Sequence, residues 1–151
     1  MTSQFTPASS HLYEQDYQQW LEQIISQLQN RAFHQIDLTH LVEELEDMGK
    51  AEKNALASNT TILLMHLLKY IYQPSKRTAS WRRTIVEHRR RILRAFKNSP
   101  SLKPYFESIF AECYAEARVD AATETQLPIQ TFPENCPLTI QDILDPEFLP
   151  E

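Results

Sequence analysis

Apolar residues recur along this chain at helical spacing, in blocks separated by proline or small polar residues. Tyr13, Tyr17, Trp20, Ile24 and Leu28 fall three or four apart, with Leu21 and Ile25 beside them. They predict an amphipathic helix from about His11 to Ala32, capped by Ser9 or Ser10. Asp37 offers the cap for a second, short and acidic helix that carries Leu38, Leu41, Leu45 and Met48 into Gly49, the expected C-terminal stop. A third runs from Lys50 through Leu56, Thr60, Leu63, Leu67 and Tyr70 to about Gln73, where Pro74 forbids continuation. Ser80 is placed to cap a fourth, on which Trp81, Ile85, His88, Ile92 and Phe96 form a regular stripe up to the Asn98-Ser99-Pro100 break. Ser101 opens a fifth, with Pro104 tolerated in its first turn and Leu102, Phe106, Ile109, Cys113 and Ala117 among its inward positions, fading after Ala122.

The two ends differ from this core. Residues 1–10 are polar and without periodicity, which predicts a disordered arm. From Gln126, five prolines break the chain into extended pieces around Phe132, Ile140, Ile143, Leu144 and Phe148, with Thr139 and Asp142 marking one short capped helix. So apolar a tail is expected to lie across the helices. The expected fold is therefore all-α: one domain, a bundle of about five helices over 11–125, and a Pro-rich C-terminal strap over 126–151.

Composition narrows this further. A length of 151 residues suits one globular domain, and one Gly against nine Pro starves architectures that need many tight turns or a Gly-rich phosphate loop. Cys113 and Cys136 are expected to be free thiols used for packing, in a reducing compartment. The first residues have neither a basic segment nor an apolar run, and the apolar stretch Ile62–Ile71 carries His66 and Lys69 and is too short to span a bilayer. These features predict a soluble, cytoplasmic protein with no membrane partner.

Charge is distributed unevenly. Of 15 Lys and Arg, 11 lie between Lys69 and Lys103, where Glu87 is the one acid, so this window carries +10 inside a chain of net charge −5. The densest part is the helix over 80–97. Opposed to it is Glu43-Glu44-Leu45-Glu46-Asp47. Such blocks either solvate their helices and face each other, or offer a contact surface to an anionic partner, nucleic acid or an acidic protein. Arg83, Arg90, Arg94 and Lys97 fall opposite the apolar stripe and are the candidate binding residues. No helix-turn-helix, ribbon or RNA-motif signature accompanies them, and the pI is about 5.5.

Catalytic readings rest on two histidines. His88 lies on the apolar stripe and His66 beside Leu63 and Leu67, so an antiparallel hairpin through Pro74 brings the imidazoles towards each other. With Asp16, Glu43, Glu44 or Glu46 from neighbouring helices, a hydrolytic site, metal-dependent or RNA-cleaving, is conceivable, with His88, His66 and Glu44 as its catalytic residues. The Glu-x-x-His pair of di-iron bundles is missing; Asp37-x-x-His40 is the nearest match, and Asp37 serves better as a helix cap. Arg83 and His88 match a spacing found in helical ribonucleases, but five residues turn a helix by about 140°, which separates them on its surface. No metal ligand set and no cofactor is assigned. The favoured expectation is a non-catalytic interaction module, with the acids of 43–46 paired to Lys69, His66, His88 or Arg89.

The order of short motifs is more specific than any one of them. Tyr17 and Trp20, Ile36-Asp37-Leu38, and Leu41-Val42-Glu43-Glu44-Leu45-Glu46-Asp47-Met48-Gly49 are followed by His66-Leu67-Leu68-Lys69, Gln73-Pro74, Ser80-Trp81-Arg82 and Glu87-His88-Arg89. Ser99-Pro100-Ser101-Leu102, the run from Tyr114 to Arg118, Phe132-Pro133 and Cys136-Pro137 complete the series. Over residues 12 to 149 this resembles domain-of-unknown-function family 29, abundant in cyanobacteria, with Tyr70 standing where Trp is equally at home. The resemblance implies an all-helical fold and carries no activity with it. It marks Glu43, Glu44, Glu46, His66, Lys69, Trp81, His88 and Arg89 as a shared set.

Overall fold

A computed structural model describes residues 7–151, with side chains from His11 onward. Of the arm expected over 1–10, residues 1–6 lie outside the described residues, and helix has begun by Pro7. The elements are α1 (Pro7–Gln15), α2 (Tyr17–Gln29), α3 (Leu38–Tyr72), α4 (Ala79–Asn98), α5 (Leu102–Thr125) and α6 (Ile140–Leu144), joined by short 3-10 turns. Among the described residues there is no strand, and the fold is all-α. The chain divides into two compact units, 1–51 and 52–151, with the boundary inside α3.

Four expectations about helix ends are corrected. The single helix over 11–32 is two, because Asp16 leaves helical backbone geometry and its carboxylate accepts the Gln19 N–H at 3.0 Å, capping α2. Gly49 stops nothing. It has no left-handed backbone, and good helix formers on both sides carry α3 through it as one 35-residue helix. The cap of α4 is Thr78, which accepts the Trp81 N–H at 3.1 Å, in place of Ser80, and Ser101 precedes α5 without a side-chain capping bond. Thr139 caps α6 through the Asp142 N–H, and Pro74 follows the end of α3.

In the first unit, Trp20 and Ile24 are buried. Trp20 Nε1 donates to Asp37 at 3.2 Å, and the carboxylate also takes the His40 ring at 2.6 Å and the His40 N–H, so it joins α2 to the start of α3. Tyr13 stacks on His40 and meets Trp20 edge-on. The hydroxyls of Tyr13 and Tyr17 both donate to Glu44, at 2.5 and 2.7 Å.

The second unit holds a continuous core. Leu56, Leu63, Leu64, Leu67 and Leu68 of α3 meet Ile85 and Ile92 of α4 and Phe106, Cys113, Tyr114, Ala117 and Ala121 of α5. The proline-rich tail contributes Phe132 and Ile143, both wholly buried. A segment with so many prolines forms little regular backbone pairing, so its carbonyls need other donors. Arginines supply them: Arg118 donates to Phe132 and Ile129 carbonyls, Arg89 to Ile143 at 2.7 Å, and Arg77 to Glu151, while also bonding the Tyr70 carbonyl of α3. The Tyr114 hydroxyl adds a bond to the Pro133 carbonyl. Both cysteines are free, and burial raises the pKa of each thiol.

Candidate functional site

The amphipathic pattern of α4 sorts its charges into two groups. Ile85 and Ile92 are wholly buried and Trp81, His88 and Phe96 half-buried, which turns Arg83, Arg90, Arg94 and Lys97 to solvent. None of these four has an ion-pair partner among the described residues. Arg83 and Lys97 are separated by about 21 Å along the axis, given 1.5 Å per residue. Arg82, Arg83 and Arg90, with Ala79, Val86 and the acid Glu87, line a shallow open depression of about 490 Å³. Arg91 differs, because it pairs with Glu87 one turn back.

On the inner side, Lys69, Trp81, His66 and His88 come together with Glu124. Lys69 is 7% exposed; its Nζ lies 2.6 Å from Glu124 and 4.5 Å from the centre of the Trp81 ring. A buried ammonium is thus held by one carboxylate and one aromatic face. His66 Nδ1 meets the Ile62 carbonyl at 3.0 Å and His88 Nδ1 the Thr84 carbonyl at 2.9 Å. A carbonyl only accepts, so Nδ1 carries the proton in both rings and Nε2 keeps its lone pair when the ring is neutral. Burial lowers the His66 pKa below its ordinary value; the Ile62 bond opposes this, and the charges of Lys69 and His88 add to it.

The pairing expected between the 43–46 acids and these bases is not the one found. Glu44 is engaged by Tyr13 and Tyr17, whose hydrogen bonds lower its pKa and, in return, raise that of Tyr13 to about 12. Glu43 and Glu46 are exposed. The physical reason is Gly49: because α3 does not stop there, the acids and His66 belong to one helix, not to two helices folded against each other. Glu124 was missed because the fifth helix was expected to fade after Ala122. Continuing the four-residue spacing Cys113, Ala117, Ala121 to Thr125 would have kept Glu124 on the helix, next to the buried face. Asp37 is occupied by Trp20 and His40 and Asp16 by capping, so neither is free as a ligand. Among the described residues no group of three or more His, Cys, Asp or Glu is arranged to hold a metal ion.

Arg89 is the exception on α4. It is 2% exposed; Nε bonds the Ile143 carbonyl, while Nη2 is buried without a hydrogen-bond partner among the described residues. Burial lowers its pKa, and the charge of Asp145 opposes that shift.

No helix among the described residues is long and apolar enough to cross a membrane. Comparison with curated proteins and with solved structures returns no match. The family model described as "Domain of unknown function DUF29" matches residues 12–149, which contain every site residue described above. With that match over nearly the whole length, the chain belongs to the DUF29 family.

Proposed function

We propose that this protein is a small cytoplasmic interaction module that binds an anionic partner, nucleic acid or an acidic protein, through the outer face of α4. One observation carries the reading. Arg77, Arg89 and Arg118 hold backbone carbonyls and Lys69 and Arg91 have carboxylate partners, whereas Arg83, Arg90, Arg94 and Lys97 are exposed with no ion pair among the described residues. Four like charges on one face repel each other, and an anionic partner relieves that repulsion while releasing its own counterions. Exposed Leu38, Val42, Leu45 and Met48 on α3 agree with a protein that makes contacts, since a solvent-facing apolar stripe is a common mark of association. Titration with single-stranded RNA, duplex DNA and an acidic polypeptide at low salt tests the reading. Saturable binding that weakens with salt supports it, and no binding to any of the three refutes it.

A hydrolytic role for His66 and His88 is the second reading, favoured by the two Nε2 lone pairs noted above. Its intended acid, Glu44, is held by two tyrosines. Elemental analysis of protein prepared without a histidine tag separates the two readings: a stoichiometric transition metal favours hydrolysis.

A further inference from the structure

We propose that the cavity beside Arg89 binds a carboxylate carried on a compact apolar group. The cavity, about 190 Å³, is lined by Val86, Arg89, Arg90, Leu93 and Pro146. Arg89 and Arg90 are its polar lining residues, and Val86, Leu93 and Pro146 are aliphatic.

Arg89 is the reason to look for an anion. A guanidinium presents five N–H donors in a rigid fork, and burial without a counter-charge is costly. Arg89 is nearly fully buried, one donor is engaged by the Ile143 carbonyl and Nη2 has no partner among the described residues. No carboxylate among the described residues lies within ion-pairing distance of it. The acid whose charge reaches it, Asp145, is exposed, and its Oδ1 accepts the Glu147 N–H at 2.9 Å. The strap thus seats Arg89 through a carbonyl and leaves the charge unmatched at the edge of a cavity.

The walls select the class of anion. Inorganic phosphate would satisfy the arginines but set its outer oxygens against Val86, Leu93 and Pro146, which can neither donate nor accept hydrogen bonds there. A neutral apolar molecule would fill the cavity and leave Nη2 as it is. A planar carboxylate on an aliphatic or aromatic stem suits both halves, because the carboxylate matches the fork geometry of arginine while the stem is withdrawn from water. Two sources share this chemistry: a small organic acid, or the C-terminal carboxylate of a partner chain ending in an apolar residue. The inference shares Arg90 with the outer-face reading, but its anchor, Arg89, is buried and is not one of the four solvent-facing cations.

The test uses the full chain, observed by NMR at arginine Nε–Hε and backbone amides. Probes are benzoate, its neutral isostere benzamide, inorganic phosphate, and a Gly-Gly-Leu peptide as free acid or as amide. Saturable shifts centred on Arg89, Val86 and Leu93 are expected for benzoate or the peptide acid, with benzamide, phosphate and the peptide amide at least tenfold weaker. Val86 is 46% exposed, so Val86→Phe fills the cavity from its rim without touching the core, and it should abolish binding at unchanged Tm. Arg89→Lys keeps the charge without the fork and should weaken binding about tenfold. The triple variant Arg83→Gln/Arg94→Gln/Lys97→Gln should bind benzoate as before, so loss of polyanion binding remains distinguishable from failure here. Tighter binding of the peptide acid identifies a protein terminus as the source, and tighter binding of benzoate a small acid. Absence of saturable binding by either acid, equal binding of benzamide or phosphate, or undiminished binding by Val86→Phe would overturn the proposal.

Discussion

The two units handle the same residue types in opposite ways. In residues 52–151 the large apolar side chains point inward, and most of the arginines that are not exposed clamp the carbonyls of a proline-rich strap. In residues 11–51 the buried apolar residues are Trp20 and Ile24, while Phe33, Leu38, Val42, Leu45 and Met48 are exposed and the polar groups Asp37, His40 and Glu44 do the joining. The difference shows that an apolar stripe at helical spacing guarantees a helix but not its burial. Leu63, Leu67 and Leu45 have similar local patterns, and only the first two have neighbours to cover them.

The largest effect to test is this contrast in burial. Leu67→Ala removes a wholly buried side chain from the second unit and should cost about 2–5 kcal/mol in urea unfolding. Leu45→Ala, at a residue 58% exposed, should stay within about 0.5 kcal/mol of the parent. Equal losses at both sites would dissolve the distinction between the units.

Next is the arginine clamp. Arg118 donates to two strap carbonyls, so Arg118→Ala leaves the Phe132 carbonyl without a protein donor and the Ile129 carbonyl with only the Phe132 N–H, and hydrogen bonds to charged groups contribute about 1.5–3 kcal/mol each. Hydrogen exchange should accelerate over 127–144 before it does in α3. Uniform acceleration across the second unit would show that the strap is not a separately released element.

Gly49 gives a smaller effect with an informative sign. It lies in a helix interior, and a methyl group added there meets nothing within 4 Å. Gly49→Ala should therefore stabilise the protein by about 0.5–1 kcal/mol, measured by thermal or urea unfolding. A true helix stop in left-handed geometry would give the opposite sign.

The pH dependence is smaller again and differs between the units. His66 has a lowered pKa, mainly from burial, so its contribution is present above the ordinary histidine value of 6.5 and is lost below it, as pH falls through the lowered pKa of the folded state. His66→Gln should flatten that part of the stability profile. Tyr13 has a raised pKa, mainly from its hydrogen bond to Glu44, so its contribution holds below pH 10 and is lost as pH rises towards about 12. Phenolate absorbance should show late ionisation of Tyr13, moved back towards 10 by Glu44→Gln. A Tyr13 that titrates at its ordinary value in the parent would remove the tyrosine–carboxylate link from the first unit.

Much of this was readable from spacing, and the failures have one kind of cause. The α4 stripe placed Arg83, Arg90, Arg94 and Lys97 outward correctly because an amphipathic helix with one strong apolar face has one way to sit. His66 and His88 lie near enough for their charges to interact, as the hairpin through Pro74 predicts, whereas the seat of Lys69 against Trp81 and Glu124 was not read from spacing. What spacing could not supply was context at helix ends. Asp16 looks like one more polar residue until its carboxylate caps α2, and Gly49 looks like a terminator until its flanks carry the helix through. That second error displaced Glu43, Glu44 and Glu46 from the basic cluster and hid the two tyrosines as the partners of Glu44.

The most direct test of the central claim is the salt dependence of binding to a single-stranded RNA, followed by fluorescence anisotropy, for the parent and for Arg83→Gln/Arg90→Gln/Arg94→Gln/Lys97→Gln. If the outer face of α4 is the contact surface, the slope of log K against log salt should flatten by roughly three, at about 0.7 per phosphate neutralised, with Tm nearly unchanged. An unchanged slope, or a fold lost with the four charges, would contradict it.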